Sequence, residues 1–86
     1  MAQVTIYTTR YCPYCLSAKA LLKQKGVEFQ EIAVDGDPDM RRSMARRAEG
    51  RTSVPQIFID GIPVGGSDEL HDLEDAGRLD RMLAAS

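Results

Sequence analysis

The sequence predicts an α/β domain: a four-stranded mixed sheet with helices on both faces, in the order β-α-β-α-β-β-α. Three observations carry that reading. Short runs of strand formers alternate with stretches whose apolar residues recur at helical spacing. Proline, glycine and aspartate punctuate the boundaries between them. Asp60-Gly61, set between Ile59 and Ile62, is a strong two-residue hairpin signal and makes the last two strands antiparallel.

Val4-Thr5-Ile6-Tyr7-Thr8 alternates and reads as the first strand. Pro13 suits the first position of a helix, where its missing N–H is no loss. Cys15, Ala18, Leu21 and Leu22 share one face of that helix, with Lys19 and Lys23 on another, and Gly26 stops it. The second strand is read from Glu28 to Val34, with Phe29 and Ile32 as its apolar content. Asp37 caps the next helix and Pro38 starts it. Met40, Met44, Ala45 and Ala48 form its inner stripe, and Gly50 ends it. Gln56 to Ile59 is the third strand. Ile62-Pro63-Val64 is the fourth, and belongs at a sheet edge because Pro63 cannot donate to a ladder. Gly65-Gly66 breaks it, Ser67 is the candidate cap of a third helix carrying Leu70 and Leu73, and Gly77 stops that helix. Leu79, Met82 and Leu83 suggest a short final helix. A helical crossover makes the first two strands parallel with a right-handed connection.

Residues 1–86 are too few for more than one domain, and a hydrophobic content of 43% places the chain among globular rather than disordered sequences. A formal net charge of −2 gives no electrostatic case for nucleic acid. No run approaches the ~18 apolar residues that span a bilayer, so no membrane partner is expected. Met1 to Thr5 lacks a basic segment followed by an apolar one, so no secretory signal is read and the cytoplasm is the expected location.

Cys12 and Cys15 are the only cysteines. A bridge between them closes too small a loop to stabilise much, so a structural disulfide is disfavoured. Structural zinc needs about four ligands, and the chain offers two cysteines and one distant histidine, His71. Catalysis is the reading that remains. Cys12-Pro13-Tyr14-Cys15 opens a helix directly after a strand, where unpaired amides favour negative charge. A thiolate at Cys12 can accept from first-turn amides, including that of Cys15, which is expected to lower its pKa below about 8.5. Arg10 adds positive charge nearby. Cys15, one turn further on, is expected to be more buried and less acidic. Cys12 is therefore the candidate nucleophile and Cys15 the resolving thiol.

Two further segments each carry two readings. Ser53-Val54-Pro55 before the third strand is either strand punctuation or a cis corner that leaves the Val54 backbone free for a peptide-like ligand. Gly65-Gly66-Ser67-Asp68 is either a turn with a helix cap or a close-approach site, where helix-start amides and Asp68 bind a zwitterion. Charge is also uneven. Arg41, Arg42, Arg46, Arg47 and Arg51 crowd one segment; Asp68, Glu69, Asp72, Glu74, Asp75 and Asp80 crowd another. These are solvated helix faces, or faces that hold a charged ligand or steer a protein.

As a set these residues resemble the glutaredoxin family, over essentially the whole chain and most closely its short bacterial dithiol members. The likeness rests on Cys12-Pro13-Tyr14-Cys15, Ser53-Val54-Pro55 with Gln56-Ile57-Phe58-Ile59, and Gly65-Gly66-Ser67-Asp68. It implies the thioredoxin fold, a cis Pro55, and glutathione as co-substrate with no permanently bound cofactor. It further implies that the Val54 backbone pairs with the cysteinyl part of glutathione and that Gly66, Ser67 and Asp68 hold its γ-glutamyl end. Arg10 and Arg42 would approach the glycine carboxylate, and Tyr14 would line the groove. Ser53 stands where the family commonly has threonine, and Arg10 where lysine is more usual; arginine keeps the charge but offers a planar fork.

The resemblance implies reduction of protein disulfides and of protein–glutathione mixed disulfides by a monomer, with ribonucleotide reductase among the family-level protein partners. Three rivals stand beside it. A redoxin reduced by thioredoxin reductase shares the fold and the cysteine pair, but has no use for Arg10 and Asp68 as glutathione contacts. An iron–sulfur carrier bridges a cluster through the first cysteine and glutathione, a role that Pro13 disfavours by stiffening the turn. A non-enzymatic binding module has no need of the cysteine pair.

Overall fold

The computed structural model describes residues 2–84; Met1, Ala85 and Ser86, included in the one-domain reading, lie outside the described residues. Its elements are β1 (Val4–Thr8), α1 (Pro13–Gln24), β2 (Gln30–Ala33), α2 (Pro38–Arg47), β3 (Gln56–Ile59), β4 (Ile62–Gly65), α3 (Ser67–Asp75) and α4 (Leu79–Ala84). The strands lie in the order β2-β1-β3-β4. β1 runs parallel to β2 and antiparallel to β3, and β3 is antiparallel to β4. The fold is thioredoxin-like, and Pro63 sits on an edge strand.

Alternation along the strands sends side chains to two faces. Val4, Ile6, Ile57 and Ile59 meet Ala18, Leu21 and Leu22 of α1, Leu70 of α3, and Leu79 and Leu83 of α4. Tyr7 and Phe58 point the other way and pack with Val34, Met44 and Ala48, against α2. The Tyr7 and Phe58 rings meet edge to face, with centroids 5.5 Å apart. The deep core therefore lies under three helices, and the second face is covered by one strongly basic helix.

Local chemistry accounts for most boundaries. The Asp37 carboxylate accepts the Met40 N–H at 3.0 Å, and Pro38 follows it at the first helical position. Asp60 and Gly61 both have positive φ, 52° and 79°, as a two-residue turn between twisted strands requires. Lys25, just past α1, reaches Glu74 at 2.6 Å and Asp80 at 2.9 Å, tying the end of α1 to α3 and α4.

Three expectations are corrected. β2 is Gln30–Ala33 rather than 28–34, because its ladder is limited to Thr5–Thr8 of β1 while Phe29 turns towards the first core. Met40 is exposed rather than on the inner stripe: it sits in the first turn of α2, outside the cluster that Met44 and Ala48 join. Gly66, not Ser67, is the N-cap of α3, because the Glu69 carboxylate takes the Gly66 N–H at 2.6 Å. His71, half-buried on α3, has Nδ1 2.8 Å from the Ser67 carbonyl oxygen. Among the described residues, no helix is long and apolar enough to cross a membrane.

Candidate active site

β1 ends at Thr8, and a short connection carries the chain to Cys12, the N-cap of α1. The Cys12 backbone is extended, with φ −130° and ψ 101°, so its side chain folds back over the helix start. The Cys12 Sγ accepts the Cys15 N–H at 3.1 Å. That bond fills the place a capping oxygen ordinarily takes. Both cysteines are free thiols. Their exposures are closer than the sequence suggests, 8% for Cys12 and 1% for Cys15. The Cys15 thiol is pushed up to about 12, first by burial and then by its hydrogen bond with Cys12. The Thr9 backbone and the Lys19 charge oppose that rise.

Across from the sulfur lies the segment before β3. The Val54–Pro55 peptide bond is cis. The Val54 carbonyl oxygen lies 3.8 Å from the Cys12 Sγ. Gln56, 1% exposed, donates from Nε2 to the Ser53 carbonyl at 3.0 Å and to its hydroxyl at 3.3 Å, so a buried amide pins this corner from below.

A shallow groove of about 210 Å³ opens beside the corner. Tyr14 and Ser53-Val54-Pro55 line it together with Gly66, Ser67 and Asp68, so residues distant in sequence converge there. Arg10 and Arg42 do not line it. The Arg10 N–H is held by both oxygens of Asp35, at 2.8 and 3.0 Å. The Arg42 guanidinium pairs with Asp39 on its own helix. Two residues that sequence reasoning missed do line it: Arg51 and Glu69. In the sequence Arg51 is one of a run of arginines, and Glu69 is an acidic residue in a helical first turn. Nothing in their spacing signals that they meet, at 3.1 Å.

A larger hollow of about 620 Å³ opens at the far end of β1, around Ala2–Thr5 and Gly26–Gln30. It holds no cysteine, and Glu28 is the one titratable side chain among the described residues that line it.

A cysteine pair at a helix start, facing a cis-proline corner on this sheet, defines a thioredoxin-fold thiol–disulfide oxidoreductase. Comparison with known proteins narrows the class. The protein-family model described as Glutaredoxin matches residues 4–64. A glutaredoxin of Pseudomonas aeruginosa is 59% identical over 85 residues, covering 99% of this chain and all of that protein. Glutaredoxin 3 of Escherichia coli K12 is 54% identical over 83 residues, covering 96% of this chain and 99% of the relative. Among solved structures, a buckwheat glutaredoxin–glutathione complex superposes with a TM-score of 0.86 at 29% identity, over 95% of this chain and 76% of that one. The chain belongs to the glutaredoxin family.

Proposed function

We propose that this protein reduces protein disulfides and protein–glutathione mixed disulfides with glutathione as co-substrate, Cys12 attacking and Cys15 resolving. The observation that carries the reading is the Cys12 sulfur, bonded by the Cys15 amide and set 3.8 Å from the Val54 carbonyl at the mouth of the groove. The glutathione complex of the buckwheat relative supports the choice of co-substrate. The reading includes a monomer acting in the cytoplasm.

With a glutathionylated protein, the Cys12 thiolate attacks the glutathione sulfur. A Cys12–glutathione disulfide forms and the protein thiolate leaves, taking up a proton. The thiolate of a second glutathione then attacks the bound glutathione sulfur, releasing oxidised glutathione and restoring the Cys12 thiolate. Only Cys12 exchanges. With a protein disulfide, Cys12 forms a mixed disulfide with one protein sulfur and expels the other. Cys15 then attacks the Cys12 sulfur, expels the remaining protein thiolate and leaves a Cys12–Cys15 disulfide, which two glutathiones reduce. The free Cys12 sulfur helps to hold the proton on Cys15, by hydrogen bonding and by charge. Once Cys12 is tied up in a disulfide both influences are gone, so Cys15 becomes easier to ionise at the step that needs it.

In this reading the groove binds glutathione by its ends. The Val54 backbone pairs with the cysteinyl unit, with Ser53 and Pro55 completing the corner. The amides at Gly66 and Ser67, with the Asp68 carboxylate, take the γ-glutamyl zwitterion. Tyr14 covers the chain between them. Arg10 and Arg42 reach the glycine carboxylate by turning away from their present positions.

The test is a pair of serine variants assayed with glutathionylated protein and with protein disulfide. Cys12→Ser loses both activities, and Cys15→Ser keeps much of the first while losing the second. The reverse pattern overturns the roles. Turnover driven by thioredoxin reductase and indifferent to glutathione overturns the choice of co-substrate.

A further inference from the structure

Arg51 and Glu69 meet at the point where the groove's two halves join. Arg51 stands two residues before Ser53 and crosses to Glu69 in the first turn of α3, Nη2 to Oε1 3.1 Å. The same Glu69 oxygen accepts the Gly66 N–H at 2.6 Å. The pair lies over Gly65, where a side-chain carbon would come within 2.7 Å of both the Arg51 guanidinium and the Glu69 carboxylate. Gly65, with φ +116°, therefore leaves room for this ion pair rather than for a ligand. The Glu69 carboxyl is held below the usual carboxylate range, first by the Gly66 amide and then by Arg51, so it is charged at neutral pH.

This arrangement has a cost for any anion bound at the same helix start. The first amides of α3, at Ser67 and Asp68, have no carbonyl within the helix to bond and suit a carboxylate. Yet Glu69 already occupies the Gly66 amide and places a negative charge beside them. Asp68 adds a second. Arg51 is the cation paired to this end of the groove.

We propose that Arg51 and Glu69 are positioning residues that set the charge met by a carboxylate-bearing substrate at the start of α3: Glu69 fills the Gly66 amide, and Arg51 cancels the charge it brings. The inference rests on the glutathione reading above and deepens it. A half-exposed ion pair contributes little to stability, so its effect falls on recognition, through KM rather than kcat.

Opposite signs separate this role from mere scaffolding. Steady-state kinetics are measured at low ionic strength on two mixed disulfides of one cysteine peptide, with glutathione and with cysteamine, which lacks carboxylates. Arg51→Met raises KM for the glutathione adduct by roughly fivefold or more, with kcat moving less than about twofold. Arg51→Lys restores most of the loss. Glu69→Gln, which keeps an oxygen for the Gly66 amide, lowers that KM, and the double variant falls between the two singles. The cysteamine adduct does not follow this pattern. Arg51→Gln serves in place of Arg51→Met if that variant fails to fold. A rise in KM in all three variants, or equal changes on both adducts, marks the pair as scaffolding and overturns the inference. If the native protein does not favour the glutathione adduct, the glutathione reading itself fails.

Discussion

The starts of α1 and α2 are built alike and do different things. Each has an N-cap residue followed by proline, Cys12-Pro13 and Asp37-Pro38. Each cap side chain accepts the amide three residues on, Cys15 at 3.1 Å and Met40 at 3.0 Å. At α2 the acceptor is a carboxylate that satisfies the helix end and stays there. At α1 a sulfur takes the same slot, so the group that caps the helix is also, in the proposed mechanism, the group that attacks a disulfide. The candidate site is thus a stabilising motif with one atom type exchanged, placed beside the Val54 corner, which lines a groove together with the start of α3.

The widest gap between the two caps is in chemistry. Cys12→Asp converts the first into a copy of the second. The fold is retained, and exchange activity falls by about three orders of magnitude or more, as when a nucleophile is lost. Circular dichroism with a mixed-disulfide assay reads both. Residual exchange near the native rate would show that Cys15 can attack on its own.

A second test uses the unequal sulfurs of α1. The Cys15 thiol ionises at about 12 in the folded protein, against an ordinary value of 9.0. The native state therefore keeps a proton that the unfolded chain has lost, and stability falls as pH rises through that interval. Below about pH 9 the contribution is whole. Under reducing conditions the urea midpoint of the native protein should drop more steeply from pH 8.5 to pH 11 than that of Cys15→Ala. Lys25 titrates alike in both proteins, so the difference isolates Cys15. Parallel curves would contradict the raised value.

The smallest effect is expected at the other cap. Asp37→Ala costs about 1 kcal/mol of stability and leaves disulfide exchange as it was, since Asp37 touches nothing in the groove. Denaturant melting and the same assay check it. A large loss of activity would mean that the α2 cap is coupled to the site.

These contrasts show what the chain made legible before its structure. Cys12-Pro13, Asp37-Pro38 and Asp60-Gly61 carry their geometry in neighbouring residues, and each forms as the local rules require. The two core faces were legible for the same reason, because alternation along β1 and helical spacing in α1 are short-range patterns. Errors came where a distant partner decides. Ser67 reads as a cap, but Glu69 and Gly66 settle that helix start between themselves. Met40 keeps the spacing of Met44 yet finds no core beneath it. In the candidate site, the groove segments were visible as motifs, whereas Arg51 and Glu69 stand eighteen residues apart and meet only after β3 and β4 have folded between them.

The Lys25 bridge to Glu74 and Asp80 has a mechanical consequence. It fastens α1 and α3 at the ends remote from the groove, while their opposite ends form its walls. The two ion pairs join three helices that pack on one face of the sheet, at their ends away from the groove. At the other end of α1, Tyr14 on the groove is 62% exposed and Tyr11 just before the helix 89%, so in the proposed reaction the surface a protein disulfide would first meet is aromatic and uncovered.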